Sequence, residues 1–181
     1  MKFFRRKYRV GSTRLAGWDY SSVGWYYVTL CTKNRVCILG DIVDGTIRLS
    51  AIGEIVAHEW QKTEGIRPHV SLDEWVIMPN HLHAIIAIKD TEKTVETPRW
   101  GVSKADQVTL KSDSIGSIMG QFKSNCTKRI RAAGFRDFAW QPRFYDHIIR
   151  NEESLSEMRE YIAGNPMKWE LDRNNPMNFR G

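Results

Sequence analysis

The sequence predicts an α+β fold in which helices pack against an antiparallel sheet. Three observations carry this: β-branched and aromatic runs of strand length, apolar residues at helical spacing between them, and turn residues at the junctions. Residues 24–32, with Trp25, Tyr26, Tyr27, Val28 and Thr29, form the first strand. Asp44-Gly45 is a turn dipeptide, which gives a small hairpin with arms at 36–39 and 46–49. Ser50 caps a helix reaching about Lys62, with Ile52, Ile55, Val56 and Trp60 at helical spacing. Residues 70–78 and 81–88 are the second and third strands. Pro79-Asn80 between them joins the two as a second hairpin.

Residues 89–112 are polar and aperiodic and are expected to form a long flexible loop. From Ser114 to about Arg131 the pattern is helical again, with Ile115, Ile118, Met119, Phe122, Cys126 and Ile130 on one face. Residues 143–150 are the fourth strand. Asn151 then caps a last helix, Glu152 and Glu153 suit its positive end, and Gly164 and Pro166 stop it after Ala163. The tail after Trp169 is polar and short. Setting aside the small hairpin and the last helix, the order is β-α-β-β-α-β, the ferredoxin-like split β-α-β arrangement. That arrangement alone says little about activity.

The chain has 181 residues, a size that favours a single domain, and 41% of them are hydrophobic, enough for a core. Its formal net charge is +6 and its pI about 9.3, a balance that fits a polyanionic partner and also an ordinary basic protein. No apolar run approaches the roughly 20 residues that span a bilayer. The basic N-terminus lacks the hydrophobic stretch of a secretory signal. Cys31, Cys37 and Cys126 show no metal-type clustering and are read as free thiols, with Cys126 a core filler. The expected compartment is the cytoplasm.

Cationic residues collect in two places. Residues 1–14 carry Arg5, Arg6 and Lys7 among six cations and no acid, which reads equally as a solvated tail or as a basic arm on phosphate. On the helix from Ser114, Lys123, Lys128, Arg129 and Arg131 lie around the apolar face with no acid after Asp113. That single-sign excess favours DNA contact.

His81 and His83 stand one residue apart on a strand, so both imidazoles point to the same face and can hold one divalent metal ion. Leu82 points to the other face, where helices cover it. The plain alternative is a pair of polar residues on a solvent-facing side. His58, His69 and His147 are scattered and are not read as ligands.

On the last helix Tyr161 and Asn165 are four apart and share a face. A tyrosine phenol, with a pKa near 10, becomes an effective nucleophile when its proton is removed and a metal draws charge from the phosphate. The Asn165 amide oxygen completes a three-ligand set that leaves open positions. The plain alternative packs Tyr161 beside Met158 and Ile162 and gives Asn165 a turn role.

Taken together, these segments resemble a known family. Met78-Pro79-Asn80-His81-Leu82-His83-Ala84-Ile85-Ile86 resembles the HUH motif of single-tyrosine transposases. Residues 140–152, from Trp140 to Glu152, are similar to the late strand of their REP-associated members. Tyr161-Ile162-Ala163-Gly164-Asn165-Pro166 is similar to their nucleophile helix and its Asn-Pro pair, and residues 27–35 to their first strand. The resemblance covers most of residues 18–170, and the four segments in order are far more specific than any one alone. It implies the ferredoxin-like core with a C-terminal helix carrying the nucleophile, and a homodimer acting on hairpins in single-stranded DNA. It also implies Mg²⁺ or Mn²⁺ on His81, His83 and Asn165. Tyr161 would attack to leave a 5′-phosphotyrosine link and a free 3′-hydroxyl, with no nucleotide cofactor.

The functional expectation is thus a metal-dependent single-stranded-DNA endonuclease and strand transferase. The competing readings are an inactive protein that binds structured single strands, and a metal-dependent hydrolase that uses water in place of Tyr161.

Overall fold

The computed structural model describes residues 18–90 and 113–179. Arg5, Arg6 and Lys7 of the proposed basic arm, and nearly all of the proposed 89–112 loop, lie outside the described residues. The elements run β1 (Gly24–Cys31), β2 (Gly40–Val43), β3 (Thr46–Leu49), α1 (Ala51–Ile66), β4 (Val70–Met78), β5 (His81–Ile88), α2 (Ile115–Ala132), β6 (Tyr145–Ile149) and α3 (Glu152–Ala163). Short 3₁₀ segments follow at Pro166–Leu171 and Pro176–Phe179.

Strands β4-β5-β1-β6 form one antiparallel sheet in that order, which is the split β-α-β topology. The small β2-β3 hairpin stands apart from it. Its first arm is Gly40–Val43, where the sequence pattern suggested 36–39. The reason is the turn. Asp44 and Gly45 both have positive φ, 50° and 71°, so the loop has two residues and pairing begins at once, Val43 against Thr46. The residues before β2 serve as a connector instead, with the Leu39 N–H bonded to the Pro79 carbonyl.

Period-2 alternation sorts the sheet into two faces. On one face Tyr26, Val28, Leu30, Leu82, Ala84 and Ile86 pack with Val56 and Trp60 of α1 and Ile118, Met119, Phe122 and Cys126 of α2. Cys126 is a buried filler there, and α1 and α2 are tied by Arg129 on the buried Glu59. On the other face Tyr27, Ile85 and Ile149 pack with Leu155 and Ile162 of α3. The sheet is therefore covered on both faces, and α3 alone brings Tyr161 to the second one. No helix among the described residues is long and apolar enough to cross a membrane.

A β4 irregularity between Leu72 and Trp75 places Asp73 where it meets α3. Its carboxylate takes both Arg159 Nε and an Arg159 terminal nitrogen at 2.7 Å, the two-pronged geometry of a strong guanidinium–carboxylate pair. That pair holds the Asp73 carboxyl below its ordinary value, with the Arg159 hydrogen bonds as the leading cause. A group shifted this way contributes stability above its unfolded pKa near 3.9 that is lost as pH falls through the lower folded value. Asp73→Ala is accordingly expected to loosen α3 and speed amide hydrogen exchange in 152–163 while exchange in α2 stays unchanged.

The polar tail is not a plain extension. After Gly164, Asn165 keeps right-handed helical angles (φ −63°, ψ −42°) despite the proline that follows, because its carbonyl accepts the Lys168 N–H that opens the next 3₁₀ turn. The segment beyond folds back onto the β5 histidines, and Asp172, Asn174 and Asn175 are buried.

Candidate metal and nucleophile site

His81 and His83 sit at the start of β5, on the face that α3 covers. Both are fully buried, so they are not the solvent-facing pair that an H-x-H triplet often is. Their Nε2 atoms converge at 2.9 Å. Hydrogen bonds behind each ring fix this orientation. Asn80 donates both amide hydrogens, to the Arg35 carbonyl at 3.0 Å and the Asn174 carbonyl at 2.7 Å. Its Oδ1 is left to accept from His81 Nδ1 at 2.7 Å. With that proton on Nδ1, the neutral His81 ring presents a lone pair at Nε2.

His83 Nδ1 lies 2.6 Å from the Tyr27 hydroxyl and 2.9 Å from that of Thr29. Tyr27 and Thr29 stand on β1, which pairs with β5 so that Thr29 is opposite His83. When His83 Nδ1 donates to either hydroxyl oxygen, its Nε2 offers a second lone pair to the same point. Two imidazole lone pairs this close repel unless a cation or a proton lies between them. Partners of this kind behind metal-binding histidines orient the rings and raise their basicity.

A third group completes the cluster. Asp172 Oδ2 is 3.7 Å from His81 Nε2, and one ligand atom from each of His81, His83 and Asp172 lies within 4.8 Å of the others. Asp172 Oδ1 accepts from the Asn174 N–H, which turns Oδ2 inward. That Oδ2 is buried and has no hydrogen-bond partner, and the same holds for Asn165 Oδ1. Buried oxygens of this sort are costly unless a cation takes them. Two imidazoles with carboxylate or amide oxygen suit a divalent ion such as Mn²⁺, which accepts both donor types. The residues present thus fit a metal. Sequence reasoning named His81, His83 and Asn165 and missed Asp172.

The nucleophile candidate is adjacent. The Tyr161 ring centroid is 5.4 Å from that of His83 and 6.4 Å from that of Tyr27, and the side chain is 39% exposed. Tyr161 is therefore accessible at the edge of a closed histidine cluster. Asn165 is buried one turn beyond it. Tyr145, the rival tyrosine, stands on β6 opposite Thr29, and its ring is 6.2 Å from that of Tyr27.

Of the cations proposed for DNA, Lys123 and Arg131 spend their N–H groups on the chain. Lys123 donates to the Gln141 and Pro142 carbonyls, and Arg131 to the Phe138 carbonyl at 3.0 and 3.2 Å. Burial also pulls the Lys123 ammonium pKa down. Both side chains brace the 138–142 segment that leads into β6, while Lys128 is exposed. All three sit on α2, across the sheet from the histidines.

Burial, with the Arg173 charge second, pulls the His83 pKa down to about 3. Burial, then the neighbouring His83, holds His81 well below its ordinary value. In the unfolded chain a histidine takes its proton near 6.5. Below that pH the unfolded state therefore binds protons that the folded state refuses, and stability falls from about pH 6.5 down toward pH 3. The melting temperature measured with chelator present is expected to drop between pH 7.5 and pH 5. The drop should be smaller in a His81→Gln/His83→Gln variant.

Fold and site define a class: a split β-α-β protein with a buried His–His–Asp group beside an accessible helix tyrosine. The chain is 38% identical over 175 residues to an uncharacterized protein of Haemophilus influenzae, covering 92% of this chain and 96% of that one. The two belong to one family. A REP-associated tyrosine transposase of Escherichia coli K12 is 26% identical over 82% of this chain and 70% of its own length. The solved structure of a REP-associated tyrosine transposase bound to a REP hairpin shares the fold, with a TM-score of 0.57 at 22% identity, over 88% of this chain and 76% of that one. No protein-family model matches the chain. The named relatives, REP-associated tyrosine transposases at 26% and 24% identity, support a transposase-like function, and the solved structure supports the fold.

Proposed function

We propose that this chain is a metal-dependent endonuclease and strand transferase acting on hairpin-bearing single-stranded DNA, with Tyr161 as its nucleophile. One observation carries the reading: the His81 and His83 Nε2 atoms and Asp172 Oδ2 converge on one point beside the accessible Tyr161 ring. His81, His83 and Asp172 would hold a divalent ion, with Asn165 Oδ1 as a further oxygen. Such an ion supplies charge neutralisation at a phosphate oxygen and favours the phenolate.

In the reaction the Tyr161 oxygen bonds to phosphorus as the bond from phosphorus to the 3′-oxygen breaks. The products are a 5′-phosphotyrosine link and a 3′-hydroxyl, which takes up the proton that the phenol gives up to solvent. A second 3′-hydroxyl can then attack the link. The phosphodiester energy is conserved, and no nucleotide cofactor is required. The hairpin preference follows from the relative whose structure was solved on a REP hairpin.

A second reading has its own observation. Both imidazoles are fully covered by protein, which also suits a protein that binds such strands without cutting them. The test is incubation with labelled single-stranded hairpin DNA from the flanks of its own gene, with Mn²⁺ or with chelator. A protein–DNA band that survives denaturing electrophoresis and needs Mn²⁺ supports the nuclease. A shift on native gels with no cleavage supports the binder. Cleavage without a covalent band means attack by water and rejects the tyrosine mechanism.

A further inference from the structure

Beside Tyr161 lies an open cavity of about 350 Å³ lined by Tyr27, Tyr145, His147, Met158, Tyr161 and Arg173. Its form follows from the sheet. Tyr27 on β1 pairs with His147 on β6, and Tyr145 lies two residues along on the same face. The buried Tyr27 ring is the floor. Tyr145 and Tyr161 stand nearly edge-on to it, at 70° and 73°, and are 40% and 39% exposed. Two accessible aromatic rings thus rise from one aromatic floor, with the Met158 side chain beside them. The Arg173 guanidinium lies over the Tyr145 ring, 5.8 Å from its centroid. A stacked guanidinium keeps its in-plane N–H groups free for an anion. None of the six lining residues is acidic.

We propose that this cavity is a nucleotide subsite. It takes one unpaired base of single-stranded DNA against Tyr145, with Arg173 on that nucleotide's phosphate. The cavity is at the small end for ligand sites, which suits one nucleotide and not a stack of several. Aromatic walls suit a base because every base has a π-face. The Tyr161 ring is itself one wall, so a strand seated here has a phosphate next to the nucleophile. The subsite supplies the placement that in-line attack needs, while the histidine cluster supplies the charge. This inference rests on the nuclease reading for its purpose, but its binding step is measurable without any cleavage.

The probe is 2-aminopurine deoxyribonucleoside 5′-monophosphate, whose emission falls when its base stacks. Titrated with the full chain, it is expected to be quenched saturably. Tyr145→Ala should weaken binding by about 5- to 150-fold. Tyr145→Phe should stay within about twofold, because the ring face is retained. Arg173→Gln should weaken the monophosphate and leave the free nucleoside unchanged. Unchanged affinity in Tyr145→Ala, with an unchanged melting curve, overturns the subsite, as does equal binding of an abasic sugar phosphate. A Tyr161 adduct formed with the same KM in Tyr145→Ala would reject the subsite and keep the nuclease. Quenching with no adduct on any strand would keep the subsite and reject the nuclease.

Discussion

Tyr161→Phe is expected to abolish the covalent protein–DNA product and lower strand cleavage by about 10⁶-fold, the size of loss seen when a catalytic nucleophile is removed. The substitution deletes one oxygen and keeps the ring. The contacts of that ring with His83 and Tyr27, at 5.4 and 6.4 Å, are retained, so fold and metal affinity should match the parent. This pairing of outcomes is what separates loss of a nucleophile from loss of structure. Single-turnover cleavage on denaturing gels measures the first, and a Mn²⁺ titration the second. Parent-level cleavage in Tyr161→Phe would transfer the role to water or to Tyr145.

The second large effect is at Asp172. Asp172→Ala is expected to weaken Mn²⁺ binding by about 100-fold, at the upper end of losses at groups that support a metal site. The carboxylate is the only anionic member of the His81, His83 and Asp172 cluster, and its inward oxygen has no hydrogen-bond partner to lose. Asn165→Ala should cost less, about tenfold, because a neutral amide oxygen attracts a cation less strongly. Calorimetric titration at fixed pH ranks the two. A greater loss at Asn165 than at Asp172 would restore the ligand set that the sequence suggested.

Periodicity explains why most of the frame was legible. Alternation placed His81 and His83 on one face and Leu82 on the other, and the structure buries Leu82 against α1 and α2. Helical spacing also put Tyr161 and Asn165 on one face of the last helix. Asp172 was not legible because it lies in a polar stretch with no period, and its partner His81 is far away in sequence. A faint signal was present: Asp172, Asn174 and Asn175 form a run of side chains that cap and turn the backbone. Such a run marks a segment that folds back. Asn80 was read as a turn residue, and only the three-dimensional contacts show it clamping the His81 ring to the tail. The misplaced first arm of the small hairpin has a similar cause. β-branched residues at 36–39 look like a strand, but a two-residue turn at Asp44-Gly45 forces pairing onto the residues that touch it.

The central claim is that Tyr161 attacks DNA at a metal-dependent site, and mapping the covalent link tests it most directly. The chain would be reacted with cognate single-stranded hairpin DNA and Mn²⁺, digested with nuclease and protease, and the modified peptide sequenced by mass spectrometry. A nucleotide-phosphate mass on Tyr161, absent when chelator replaces Mn²⁺, is the predicted result. The same mass on Tyr145, or cleaved DNA with no modified tyrosine, would contradict it.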